Sequence, residues 1–170
     1  VIEEIIDPLG HSEPVWKTVV KPTTSSEGTM NYVCPACDEV FDTKSIPAIT
    51  LSGNSTAIVD FATNTITGFD AGSTELEDYL SATNNGYVFT CSSDILCTGA
   101  VVELTDGETL INSYTIIIFG DIDGNGWYDA NDAFIVNMIA SGLISADRLS
   151  AAQFRAADCN HDGDVDSADF

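Results

Sequence analysis

The sequence predicts an α+β, multi-module chain: a small β-rich module over residues 1–49, a hairpin-rich sheet or sandwich over residues 50–119, and a helical segment over residues 120–170. Three observations lead there. Residues 1–119 alternate apolar and polar positions in short runs rich in Val, Ile, Thr and Tyr, broken by Pro and Gly. From Gly120 onward the apolar spacing changes to that of a helix. Nine aspartates gather in the two stretches 121–132 and 158–169, beside the predicted helices.

Size and charge narrow the function classes. A chain of 170 residues with 44% hydrophobic residues can bury a core. Five Lys+Arg against 27 Asp+Glu give a formal charge of -22, which repels nucleic acid and anionic membrane surfaces and favours cations or a basic protein partner. Membrane insertion is not expected, because no apolar run reaches the roughly 18 residues a spanning helix needs. The opening "VIEEIIDPLG" lacks a basic leader signature and reads as a start inside a longer protein. The cysteines, Cys34, Cys37, Cys91, Cys97 and Cys159, are odd in number, so at least one thiol is unpaired within the chain.

In the first module "VWKTVVKP" and "TMNYVC" read as strands, separated by Pro22 and Gly28. In the second, "TAIVDFATNTITGF", "NNGYVFTC", "TGAVVELTDGETL" and "SYTIIIFG" carry β-branched alternation, with turns at Asn84-Asn85-Gly86 and Asp106-Gly107. A short helix is predicted at "STELEDYL", capped by Ser73 or Thr74. In the third, "ANDAFIVNMIASGLI" predicts a helix stopped at Gly142, and "SADRLSAAQFRAAD" a second helix capped by Ser145.

The acidic stretches have the spacing of calcium loops. Numbered from Asp121, oxygen donors fall at positions 1, 3, 5, 7, 9 and 12 as Asp121, Asp123, Asn125, Trp127 through its carbonyl, Asp129 and Asp132. Gly126 occupies position 6, where the turn needs a positive φ. The second stretch repeats this with Asp158, Asn160, Asp162, Asp164 through its carbonyl, Asp166 and Asp169, and Gly163 at position 6. One loop can wrap a cation demanding six to seven oxygens only if alternate residues point inward, and hard carboxylates select Ca²⁺ or Mg²⁺ over zinc. Position 12 is Asp in both loops where a calcium sensor has a bidentate Glu. Both loops are EF-hand-like in spacing. The first follows a strand instead of a helix, and the second has Phe170 after its last ligand, so the second is expected to be the weaker site.

The segments "GDIDGNGWYDANDAF" and "ADCNHDGDVDSADF", joined by a helical linker, resemble the dockerin family of cellulosome-type assemblies. Upstream, "IVDFATNTITGF", "CTGAVVEL" and "YTIIIFGD" look like the X module that precedes some dockerins, which implies an Ig-like sandwich for that segment. Residues 10–48 are similar to a short Cys-containing β repeat of bacterial surface proteins. The resemblance implies two Ca²⁺ sites and a noncatalytic, calcium-dependent module. It would bind a cohesin of a scaffoldin or cell-wall-anchored protein, outside a bacterial cell and at its surface. It further implies partner contacts from Ala130, Asn131, Phe134, Asn137 and Met138 in the first repeat and from Ser167 and Ala168 in the second. Helical spacing puts Asn131, Phe134 and Met138 on one face and Ala133, Val136 and Ala140 on another that suits a core; Phe134 fits either role. The repeats differ at Ala130-Asn131 and Ser167-Ala168, so one binding orientation should dominate.

Two readings from other classes compete. One is a calcium sensor whose helices open on binding, which the missing entering helix of the first loop disfavours. The other is an ancillary module of a polysaccharide-degrading enzyme. Enzyme activity itself is not expected, since no nucleophile elbow, metalloprotease motif or phosphate loop is present. "CPAC" at Cys34 and Cys37 with His11 upstream can supply three zinc ligands, a local disulfide or free thiols; a structural zinc site needs four ligands and no fourth stands out. Cys91 and Cys97 suit a disulfide loop in an exported protein, or buried or free thiols, and Cys159 and His161 read as noncoordinating spacers in the second loop.

Overall fold

A computed structural model describes residues 10–81 and 86–169. The chain divides after Ile49 into two compact units.

The first unit is an antiparallel sheet of three strands, β1 (Val15–Val20), β2 (Gly28–Val33) and β3 (Val40–Ile46), in the order β1-β2-β3. Its core is small. Met30, Val33, Cys34, Ile46 and Ile49 are buried, whereas Val15, Val19, Val20, Val40 and Phe41 remain about half exposed. On the same face as the buried Met30, Trp16 stands opposite Tyr32, their rings 5.1 Å apart, and the Lys44 ammonium lies 4.2 Å over the Trp16 ring.

The second unit holds seven strands among the described residues: β4 (Thr50–Leu51), β5 (Ile58–Asp60), β6 (Thr65–Thr67), β7 (Leu80–Ser81), β8 (Val88–Cys91), β9 (Val101–Thr105) and β10 (Leu110–Ile116). β4 and β7 pair as a ribbon, and the rest form one sheet in the order β5-β6-β10-β9-β8. Neighbours are antiparallel except β6 and β10, which run parallel because the chain visits β7, β8 and β9 between them. The β9–β10 hairpin closes at Asp106-Gly107, where Asp106 Oδ1 accepts the N–H groups of Glu108 and Thr109. The predicted turn at Asn84-Asn85-Gly86 falls largely outside the described residues. Ile66, Leu80, Leu96, Val102, Tyr114 and the run Ile116–Ile118 are nearly solvent-free and form the core.

Two α-helices follow, α1 (Ala130–Ala140) and α2 (Ala151–Ala157). Each starts at a capping box, Asp129 with Asp132 and Ser150 with Gln153. α1 ends at Ser141 before Gly142, whose φ of +69° suits the left-handed stop. Ile122, Val136, Ala157 and Val165 form a local core, with Ile135, Ile139, Leu149 and Phe154 packed against it.

The expected α+β arrangement, with a sandwich followed by a helical dockerin carrying two EF-hand-like loops, is corrected by this structure. The described chain is mostly β, ten strands in three sheets against two short α-helices, and no separate C-terminal helical pair with EF-hand loops is formed. The reason is physical: residues 120–169 are tied to the sheet that precedes them. Gly120 N–H donates to Ala156 O, the buried Asp121 carboxylate serves Thr98 of the sheet unit, and the Arg155 guanidinium on α2 donates to Thr63 and Thr65 hydroxyls beside Asp60. Two finer expectations also change. "STELEDYL" forms only a 3₁₀ turn at Leu76–Asp78, preceded by Glu75 instead of a Ser73 or Thr74 cap. "SADRLSAAQFRAAD" breaks at Leu149 into a 3₁₀ turn at Ala146–Arg148, capped by Ser145, and α2, capped by Ser150.

Candidate metal centres

β10 ends in the buried Ile116–Ile118 run, so the chain emerges from the sheet core directly into Asp121, which is itself fully buried. Burying a carboxylate is costly unless its oxygens are occupied. Asp121 Oδ2 accepts the Thr98 N–H at 2.7 Å and Oδ1 the Gly126 N–H at 3.1 Å. Thr98 is held in turn: its Oγ1 donates to Ile118 O at 3.1 Å and accepts the Ile118 N–H at 3.0 Å. Asp132, the third residue of α1, accepts three N–H groups, from Ile122 at 2.7 Å, Asp123 at 3.0 Å and Asp129 at 2.9 Å. Asp123 Oδ1 accepts the Asn125 N–H at 3.1 Å, and Asn125 Oδ1 accepts the Trp127 N–H at 2.8 Å.

These bonds bend the loop inward, and one carboxylate oxygen from each of Asp121, Asp123 and Asp132 comes within 4.8 Å of the others. Such a convergence of hard anionic oxygens can hold a divalent cation. The Asp123 carboxyl is raised above the ordinary range, first by desolvation, partly countered by the Asn125 N–H, and then by the charges of Asp132, Asp129 and Asp121.

The second loop repeats the same backbone pattern. The position 6 N–H of Gly163 donates to Asp158 Oδ2 at 3.1 Å, as Gly126 does to Asp121. Asn160 N–H and Asp166 N–H donate to the two oxygens of Asp169 at 3.2 and 2.9 Å, as Asp123 and Asp129 do to Asp132. Asp162 N–H donates to Asn160 Oδ1 and Asp164 N–H to Asp162 Oδ1, matching positions 5 and 7 of the first loop. Position 6 needs glycine in both, with φ of +87° at Gly126 and +93° at Gly163. The loops differ in their support. A Cβ on Gly126 would lie 2.6 Å from Ile95 Cγ2, whereas one on Gly163 would meet nothing within 4 Å. Among the described residues, three carboxylates converge within 4.8 Å in the first loop and not in the second, where position 3 is Asn160 and the exit from Asp169 is a single 3₁₀ turn, Ser167–Asp169.

Of the residues expected to face a partner, Ala130, Asn131, Asn137, Ser167 and Ala168 are exposed and Met138 is half-buried. Phe134 is 62% exposed, which resolves its two possible roles in favour of the surface. Val136 alone of the predicted core trio is buried; Ala133 and Ala140 are exposed. The two spacers in the second loop have contacts: the His161 ring sits edge-on to Phe119 at 4.6 Å, and Cys159 Sγ donates to Ala156 O at 3.6 Å.

A second cluster lies in the first unit. Ligand atoms of His11, Cys34 and Cys37 lie within 4.8 Å of one another, with Cys37 Sγ 3.3 Å from His11 Nδ1. Cys34 is fully buried at the end of β2, its Sγ 3.5 Å from Ser12 Oγ. That hydroxyl is the largest influence holding the Cys34 thiol down to about 5, against the opposing effect of burial. Cys37 is raised instead: the Glu39 N–H lowers it, but Cys34 and desolvation outweigh that bond. All five cysteines, Cys91 and Cys97 included, are free thiols.

Sequence reasoning did not find Thr98, Ser12 or Glu39. Thr98 and Ser12 act on residues more than twenty positions away, and no local pattern marks them. Comparison with protein-family models, curated proteins and solved structures returned no match.

Proposed function

We propose that this chain is a noncatalytic, calcium-dependent protein–protein interaction module that works at a bacterial cell surface, in the manner of the dockerin-like proteins its acidic repeats resemble. The observation that carries the reading is the convergence of Asp121, Asp123 and Asp132, in a loop whose Gly126, Asp123 and Asp129 N–H donations recur at Gly163, Asn160 and Asp166 of the second loop. Asp121, Asp123, Asn125, Asp129, Asp132 and the Trp127 carbonyl would hold one Ca²⁺. Asp158, Asn160, Asp162, Asp166, Asp169 and the Asp164 carbonyl would hold a second, weaker one. Bound calcium supplies charge neutralisation in place of repulsion among carboxylates.

The chain's own residues do the rest. Thr98 and the β10 exit fix Asp121, so the sheet anchors one end of the first loop. Asp132 fixes the other end and caps α1 at the same time, which couples loop order to helix order. The exposed Asn131, Phe134 and Asn137 on α1 then form a surface for a cohesin-type partner, with Ala130 and the half-buried Met138 beside them. An aromatic side chain left mostly in water on an otherwise ordered helix suits such an anchor. This reading rests on the loops and this surface, since the fold is not the helical module that the resemblance implied.

The test is capture on a panel of immobilised cohesins in calcium and in chelator. Binding to at least one cohesin in calcium, lost in EGTA and in Asp121→Ala, and weakened at least tenfold by Phe134→Ala, is expected. Equal capture with and without calcium, or turnover of a polysaccharide by the purified chain, sinks the proposal.

A further inference from the structure

Among the described residues of the first unit, five buried apolar side chains serve a three-stranded sheet whose other Val and Phe residues stay half in water, and a sheet with so few buried side chains gains from a metal or a disulfide as a staple. At the end of its β2–β3 hairpin the chain makes a tight turn in which Asp38 N–H donates to Cys34 O at 2.8 Å and Cys34 N–H to Glu39 O at 3.0 Å. Asp38 adopts φ +56° to close it. The turn brings Cys37 back beside Cys34, and the segment before β1 lays His11 against both. On the far side of the imidazole, His11 Nε2 lies 3.1 Å from Glu39 Oε2. A carboxylate accepting from Nε2–H makes Nδ1, the nitrogen 3.3 Å from Cys37 Sγ, the acceptor side of the ring, which is the carboxylate–histidine arrangement that supports metal-bound histidines.

We propose that His11 Nδ1, Cys34 Sγ and Cys37 Sγ bind one zinc ion, with Glu39 as the positioning residue on His11 and water in the fourth place. Two thiolates and an imidazole are the donor set zinc prefers, and soft sulfur excludes the hard cations that suit the acidic loops. Tetrahedral bonds of these lengths put ligand atoms roughly 3.5–3.8 Å apart, so the cluster closes on the ion by small side-chain rotations. Both thiols lose their protons to solvent as the ion enters. The bound ion ties the segment ahead of β1 to the β2–β3 turn, at the end of the sheet where Val15 pairs with Val33. The exposed Cys37 sets the ion at the surface, where a water reaches it.

The experiment is titration of Co²⁺ into the full, reduced, metal-stripped chain, with calcium present to occupy the acidic loops. One equivalent should produce thiolate-to-cobalt charge transfer and tetrahedral ligand-field bands, both bleached by Zn²⁺. Cys37→Ser should remove about half of the charge-transfer intensity, while Cys159→Ser leaves it intact. Glu39→Gln should keep the spectrum and weaken affinity by about 10–100-fold, a readout that a merely structural role for Glu39 would not move. Cys34 is buried, so its replacement would confuse binding with folding; Cys37→Ser avoids that. No charge-transfer band in a chain whose thiols are reduced and whose sheet is intact by circular dichroism overturns the proposal, as does a band indifferent to Cys37→Ser.

Discussion

Single residues in this chain carry opposed duties, and Asp123 shows the opposition most clearly. Without a cation its folded carboxyl is raised, chiefly by desolvation and then by its three acidic neighbours. A carboxyl raised on folding opposes folding at pH values above its folded pKa, and the penalty disappears as pH falls through that value. Asp123→Asn should therefore raise the melting temperature of the calcium-free protein at neutral pH and leave it unchanged near pH 3, where both side chains are uncharged. In saturating calcium the same substitution should lower it, because a charged ligand is lost. Thermal melts in EGTA and in calcium at both pH values check this; the same sign in both metal conditions at pH 7 would separate Asp123 from the cation site. Asp123 is exposed, so solvent screening keeps the calcium-free effect small.

At the scale of elements, what the sequence made legible follows from how local each signal is. The strands β1, β2, β9 and β10 lie where alternating β-branched residues stand, and the stop of α1 lies at Gly142, because each is encoded within a few residues. The loop residues were legible for the same reason: a twelve-residue spacing is a local pattern. The joining of the acidic segment to the sheet was not, since it depends on Thr98 reaching Asp121 and Arg155 reaching Thr63 and Thr65 across 23 to 92 positions. The break at Leu149 was legible in principle. Ser150 and Gln153 form the four-residue box that opens a helix, yet the apolar spacing on either side of it reads as one continuous helix. That box is now a test of coupling between the loops, because Gln153 Nε2 also donates to Ile122 O at 3.0 Å. Ser150→Ala should cost about 1 kcal/mol in chemical denaturation. By loosening α2, which ends at Asp158, it should weaken the second calcium site more than the first. Calorimetric titration that found both sites equally affected, or neither, would show that α2 does not transmit order into the second loop.

For the whole molecule, the -22 formal charge sets the scale of the metal effect. Nine of the acids sit in two short loops, so their mutual repulsion is concentrated where calcium would bind, and removing the ion should cost more than the coordination bonds alone. Salt distinguishes the two contributions, because dissolved ions screen repulsion between exposed carboxylates over about 10 Å at 0.1 M and cannot replace a ligated cation. In EGTA the melting temperature should climb steadily with sodium chloride. In calcium at a hundredfold excess over its dissociation constant it should start roughly 10 °C higher, from about 2.7 kcal/mol of linkage, and vary much less with salt. Differential scanning calorimetry across a salt series in each condition reads both slopes. If the slopes are parallel, the acidic loops contribute only diffuse charge, and the convergence of Asp121, Asp123 and Asp132 is a solvated surface turn; if they diverge as described, the loops behave as discrete ion sites whose filling sets the stability of the unit that β10, α1 and α2 share.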